Sequence, residues 1–149
     1  MVMIDQTLRL RQFLPYRLSF TSNLVSERIA RVYAALFGLS IPEWRLVAVI
    51  AEEGRTTQQA IGAFTGMDKV TVSRAAIALV DRGLVTRSPN PDDRRSHMLA
   101  LSDAGRDLYA TVAPKALEME AEIFSCLMTA ERRTLAGFLE RIDAAVAGD

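Results

Sequence analysis

Residues 67–108 read MDKVTVSRAAIALVDRGLVTRSPNPDDRRSHMLALSDAGRDL, and within that one stretch the hydrophobic period changes twice. Asp68 stands where a helix N-cap is wanted, and Val72, Ala76 and Leu79 recur at i, i+4 and i+7, which predicts a helix over Lys69–Arg82 closed by Gly83. Leu84-Val85-Thr86-Arg87 then reads as a short strand. Ser88 to Asp93 is dense in turn formers, and Ser96 to Leu101 alternates so that His97, Leu99 and Leu101 share one face. Helix, strand, charged turn and strand make a β-hairpin behind a helix. Ser102-Asp103 caps the next helix.

Working outward toward the N-terminus, Thr56-Thr57-Gln58-Gln59 starts a short helix that ends near Thr65-Gly66. Before it, Ser40 and Glu43 stand at capping-box spacing with Pro42 in the first turn, predicting a helix from about Pro42 to Glu53 that stops at Gly54. From Leu8 to about Phe37, apolar residues recur in steps of three and four, the mark of one long amphipathic helix in which Pro15 sets a kink or a late start. Toward the C-terminus, the helix after Asp103 is expected to run to about Met128 with a kink at Pro114. Thr129 starts a last one, with Leu135, Phe138, Leu139, Ile142 and Val146 in register.

These parts predict a mainly α protein with a small β-hairpin wing, a winged helix-turn-helix in which Lys69–Arg82 is the groove-reading helix. The long helices at both ends carry more apolar surface than so small a domain needs, and burial against a second copy explains the surplus. The expected organisation is an N-terminal dimerisation helix (1–37), the winged domain (38–101) and C-terminal dimerisation helices (102–149).

The face of the reading helix opposite its core carries Lys69, Val70, Thr71, Ser73, Arg74 and Ile77. Short hydroxyls and a methyl-bearing Val near the helix N-terminus suit base edges, and Arg74 can reach a guanine or a phosphate. An ordinary solvated helix face has the same composition, so this helix alone does not decide. At the hairpin tip, Asp92-Asp93-Arg94-Arg95 suits a self-neutralising turn. After a helix-turn-helix, however, a narrow arm with Arg94 and Arg95 at its tip has the shape to enter a minor groove, with Asp93 orienting Arg95 by pairing.

Composition narrows the function classes. The chain has 149 residues, as many Lys plus Arg as Asp plus Glu (18 each), and half its residues hydrophobic. The charge is unevenly spread: residues 69–106 carry seven basic groups against four acids, whereas 107–149 carry four against eight. Such asymmetry accompanies binding to polyanions. No uncharged apolar stretch approaches the ~20 residues of a membrane span, and no signal peptide is legible at the N-terminus, so the expectation is a cytoplasmic protein with no membrane partner. One cysteine (Cys126) and one histidine (His97) cannot form an intrachain disulfide and leave too few residues for a His/Cys zinc site or a Ser-His-Asp triad. No metal, no cofactor and no enzymatic activity are expected. Asp92, Asp93 and Arg95 would make a poor catalytic set, because carboxylates at a turn tip have nothing to desolvate them.

With these residues in hand, the chain resembles the MarR family of bacterial regulators. The resemblance rests on Gly83 to Arg87 (G-L-V-x-R), on Asp93 and Arg95 (D-x-R) in the wing, and on Leu99, Leu101, Ser102 and Gly105 (L-x-L-[ST]-x-x-G) that close it. Leu39 to Arg45 is similar to the family's helix entry. The resemblance implies a dimeric, ligand-responsive repressor or activator on a pseudo-palindromic double-stranded operator, with Thr71, Ser73 and Arg74 in the major groove and Arg95 in the minor groove. It also implies an effector cleft between the dimerisation helices and the winged domain, often for small phenolic or aromatic acids. Tyr16, Arg17, Trp44 and Arg45 could line it, Arg holding a carboxylate and aromatics a ring, although packing and local ion pairs suit the same residues. Some members sense peroxide through a first-helix cysteine, which this chain lacks; Cys126 reads as a buried inert thiol late in the fifth helix, the rival reading being a redox role for the chain's single thiol. The rival reading is a winged-helix protein–protein module without DNA binding, against which the basic wing argues.

Overall fold

The computed structural model describes residues 7–148; the first six residues of the expected N-terminal segment and Asp149 lie outside them. The chain divides between Val112 and Ala113 into two compact units.

Among the described residues, the first element of the first unit is a single 3₁₀ turn, Leu10–Gln12, followed by α1 (Leu14–Phe37). Pro15 sits in the first turn of α1, where its missing N–H has no partner to lose. The proline therefore sets a late start rather than a kink, and Leu8 falls outside the helix. Gly38, at φ +62°, closes α1, and the chain bends by 78° into α2 (Ile41–Glu53). The capping box forms as its spacing predicts: the Ser40 hydroxyl accepts from the Glu43 N–H (3.2 Å), and the Glu43 carboxylate accepts from the Ser40 N–H (2.8 Å). Two residues, β1 (Arg55–Thr56), precede α3 (Gln58–Thr65), which is capped by the Thr57 hydroxyl on the Ala60 N–H at 3.1 Å. Next come α4 (Lys69–Asp81), β2 (Val85–Pro89) and β3 (His97–Leu101).

The wing is one part of a three-stranded antiparallel sheet in the order β1-β3-β2, where the sequence predicts only a two-stranded hairpin. Arg55 and Thr56 pair with Ala100 and Leu99, and Val85 pairs with Leu101 through to Pro89 with His97. This third strand covers the free edge of β3 at its root and ties the wing to the entry of α3.

Leu46, Val47 and Ile50 of α2, Ile61 of α3, Val72, Ala76 and Leu79 of α4 and Leu99 of β3 are almost wholly removed from water. Full burial is worth ~1.5–3 kcal/mol for each of the larger apolar side chains among them, so one shared core fixes α4 and the wing to the same support. The alternation expected of β3 holds for Leu99 and Leu101, while His97, nearest the tip, is exposed.

α5 (Asp103–Ile123) begins in the first unit and passes through Pro114 into the second. It ends five residues before the expected Met128. The carbonyls of Phe124 and Leu127 accept from Nε of Arg132 (3.1 and 3.3 Å), and the chain turns there into α6 (Thr129–Ala147). Cys126 lies in that turn and is exposed, which corrects the expectation of a buried thiol within a helix. Along α6 the registered apolar residues Leu135, Phe138, Leu139, Ile142 and Val146 are all exposed. Among the described residues no single helix is long and apolar enough to cross a membrane.

Candidate nucleic-acid interface

The turn between α3 and α4 is built from hydrogen bonds inside the motif. The Thr65 hydroxyl donates to the Ile61 carbonyl (2.7 Å) and accepts from the Met67 N–H (3.2 Å), and Gly66 takes the left-handed conformation (φ +73°) that ends α3. Asp68 then caps α4. One carboxylate oxygen accepts from the Thr71 N–H (2.8 Å), the other from the Thr71 hydroxyl (3.0 Å), and these bonds hold the Asp68 carboxyl below its usual pKa.

α4 buries Val72, Ala75, Ala76 and Leu79 and leaves Lys69, Val70, Arg74 and Ile77 exposed, with Thr71 and Ser73 half-buried. The candidate reading residues thus come to one helix side, with one refinement. Thr71 turns its hydroxyl hydrogen to Asp68, so what it can offer a base edge is a lone pair and a methyl group rather than a donor. Beside the first turn of α4, Gln58, Gln59 and Lys69 line a cleft of about 490 Å³ against α3. The two glutamines were not singled out from sequence, where they read as part of a helix start.

At the wing tip, the Asn90 side chain accepts from the Asp92 N–H (3.0 Å) and donates to the Ser96 hydroxyl (2.8 Å). Asp93 accepts from the backbone N–H of Arg95 at 2.9 Å. Asp93 therefore supports the tip by folding its backbone in an Asx-type turn, not by pairing with the Arg95 guanidinium as expected. The side chains of Arg94 and Arg95 are exposed on a tip ordered by its own hydrogen bonds. Arg55 donates to the Ser88 hydroxyl (3.1 Å), bracing the outer strand from β1.

The root of the wing shows why Ser102 and Gly105 stand where they do. The Ser102 N–H donates to the Leu84 carbonyl (3.0 Å) and its hydroxyl to the Gly83 carbonyl (2.6 Å), while accepting from the Gly105 N–H (3.0 Å). The first turn of α5 passes so close to Leu84 that a Cβ on Gly105 would overlap the Leu84 carbonyl oxygen and lie 3.3 Å from Cβ of Leu101. Arg82, at the end of α4, donates to the carbonyls of Gly38 (3.0 Å) and Phe37 (3.3 Å) at the end of α1. That link between α4 and α1 was not legible in the sequence.

The four residues expected around an effector do not meet within one chain. Trp44 stacks on Tyr109 (5.9 Å between centroids, 14° between planes) and leans on Tyr33 (5.7 Å, 57°), whose phenol is pushed up in pKa by burial. Trp44 and Arg45 line a cavity of about 350 Å³ with Glu52 and Phe64. Tyr16 and Arg17 instead gather around Phe20, each 5.9 Å from its ring. Tyr33 is seventeen residues beyond Tyr16 on α1, which is about 25 Å along a helix. Tyr109 and Phe64 carried no sequence signal that set them apart from other packing aromatics.

Comparison with known proteins agrees with this geometry. A family model described as MarR family matches residues 37–96, the end of α1 through the wing tip. The "putative transcriptional regulatory protein for hcr operon" of Thauera aromatica is 25% identical over 116 residues, spanning 78% of this chain and 70% of that protein. A "probable transcriptional regulator" from Pseudomonas aeruginosa, known from its crystal structure, is 30% identical over 87% of this chain and 99% of its own, with a TM-score of 0.76. The crystal structure of a MarR/EmrR family transcriptional regulator from Acinetobacter sp. ADP1 reaches a TM-score of 0.86 at 22% identity, covering 95% of this chain and all of that one. Winged helix-turn-helix, glycine-tight wing root and sequence kinship lead to one statement: the chain belongs to the MarR family of transcriptional regulators.

Proposed function

We propose that the protein binds double-stranded DNA sequence-specifically as a homodimer on a pseudo-palindromic operator and acts as a repressor whose affinity falls when a small effector binds. The observation that carries this reading is the pairing, on one rigid core, of an outward α4 face bearing Lys69, Val70, Ser73 and Arg74 with a wing tip whose Arg94 and Arg95 are exposed. Helix and tip are two points of attachment to a polyanion, one suited to a major groove and one to a minor groove. Asp92 and Asp93 stand in solvent at the tip beside the two arginines.

The homodimer reading rests on uncovered apolar side chains at both ends of the chain. Leu10, Phe13, Leu14 and Leu18 near the start of α1 and Leu135, Phe138, Leu139 and Ile142 on α6 are exposed in the single chain. A second copy that covers them makes residues 1–37 and 102–149 the dimerisation region, leaves 38–101 for DNA binding, and brings one α4 from each copy to the operator. The effector reading rests on the cavity beside Trp44 and Arg45, where a guanidinium next to aromatic rings suits an aromatic or phenolic acid. Tyr16 and Arg17 form a second cation–aromatic cluster at the far end of α1.

The test is selection from random-sequence duplexes, followed by anisotropy on the winning duplex over a salt series. Enrichment of an inverted repeat, bound with affinity that falls steeply as salt rises, supports the reading. Failure to enrich any sequence, with weak binding to all duplexes, refutes it in favour of a protein–protein module.

A further inference from the structure

The middle of the outward α4 face is apolar, which a face built only to meet phosphate does not need. Val70, the second residue of α4, is 59% exposed and Ile77 is 50% exposed. At 100° per residue they lie within about 20° of one another on the helix surface, with Arg74 about 40° to one side of Val70 and Ser73 about 60° to the other. Thr71 is about 100° away, and its hydroxyl is taken up by the Asp68 cap. Neither Val nor Ile is a favoured residue for an exposed helix position, so helix propensity does not account for them.

Charge and position favour one occupant for this face. Lys69 and Arg74 flank Val70, and the neighbouring carboxylate of Asp68 is turned back onto Thr71. The remaining acid on the stripe, Asp81, is the last residue of α4, about 16 Å further along. A partner that is anionic on its rim and apolar at one point in its floor matches duplex DNA, whose major groove offers one apolar group, the thymine 5-methyl. Recognition helices meet base edges with their N-terminal residues, which selects Val70 over Ile77.

We propose that Val70 reads the 5-methyl group of a thymine in the major groove, so that each operator half-site carries a thymine opposite the first turn of α4. This rests on the DNA-binding reading above. The methyl packs against the isopropyl group of Val70 and leaves water, and Val70 is thereby a specificity-determining residue that makes no hydrogen bond.

The test uses the full chain and the selected operator, with thymines replaced one at a time by 2′-deoxyuridine, which lacks only the methyl, and affinity read by anisotropy. For the parent protein, one thymine per half-site is expected to cost about fourfold in Kd when replaced, the value of one methyl removed from water. In Val70→Ala the same replacement is expected to be neutral, because the contact is already gone. Ile77→Ala should keep the full penalty. Tight binding of the parent to an operator in which no thymine replacement matters overturns the proposal, as does an equal penalty in Val70→Ala. Absence of any selected operator overturns the DNA-binding reading itself and so is told apart from failure of this step. Val70 is exposed, so the alanine variant keeps its core, and its circular dichroism should match the parent.

Discussion

Replacing Gly105 by Ala tests how the wing is joined to the rest of the first unit. The added Cβ overlaps the carbonyl oxygen of Leu84, lies 3.1 Å from the carbonyl carbon and 3.3 Å from Cβ of Leu101, so backbone rather than a flexible side chain must give way. Relief requires the first turn of α5 to move by roughly 1.5 Å, the difference between overlap and an ordinary C···O contact. That movement strains the bonds from Ser102 to the Leu84 and Gly83 carbonyls (3.0 and 2.6 Å). Overpacking of this kind costs ~1–3 kcal/mol and each weakened hydrogen bond ~0.5–1.5 kcal/mol, against a gain of up to ~1 kcal/mol in helix propensity. The net expectation is a loss of about 3 kcal/mol, which lowers Tm by on the order of 10 °C and the urea midpoint by about 1–2 M. Gly137 supplies the control within the same chain. A Cβ there meets nothing within 4 Å, and the position lies about 160° around α6 from Leu135 and Leu139, so Gly137→Ala should stabilise by up to ~1 kcal/mol. Urea unfolding followed by circular dichroism reads both. A Gly105→Ala variant as stable as the parent would refute the close-approach argument.

Two further substitutions address the cap and the dimer. Asp68→Ala removes both bonds to Thr71 and should lower Tm and fray the start of α4, while Asp68→Asn, which keeps an acceptor, should lose less. Because folding depresses the Asp68 pKa, its contribution is present above the ordinary carboxylate value of about 3.9 and fades as pH falls through the lower folded value; melts from pH 7 to pH 2 should show that component missing in Asp68→Ala. Phe138→Asp, on the exposed face of α6, should leave the single chain folded and shift it toward monomer in sedimentation velocity, with operator affinity falling alongside. An unchanged sedimentation coefficient at micromolar concentration would remove α6 from the dimer interface.

The helix-turn-helix and wing were legible because each boundary is set by nearby residues. Ser40 with Glu43, Thr57, Asp68, Gly38 and Gly66 act within three or four positions of themselves, and a local signal survives in a single sequence. The features that escaped depend on distant partners. Arg55–Thr56 is too short to show an alternating pattern and is a strand only because β3 offers it an edge. α5 stops at Ile123 with no Gly or Pro to mark the place, and the capping donor, Arg132, comes from the next helix. Cys126 follows from the same displacement: it falls in the turn after Ile123, exposed, rather than within α5. Asp93 and Arg95 suggest an ion pair by composition, but their spacing of two is that of an Asx turn, and the backbone N–H wins. Around Trp44, the partner Tyr109 comes from α5, more than sixty positions away, beyond the reach of any periodicity.

The central claim, that the α4 face and the wing tip hold DNA together, is tested most directly by operator and random-duplex affinities of the parent, Arg74→Ala and Arg95→Ala over a salt series. The account predicts that both variants, folded as the parent is, bind the operator more weakly. Arg74→Ala should lose ~1–3 kcal/mol of discrimination if it meets a guanine edge, bringing operator and random duplex together, and Arg95→Ala should in addition flatten the salt dependence by about one unit of slope. Two well-folded variants that bind the operator with the parent's affinity and salt slope would contradict it.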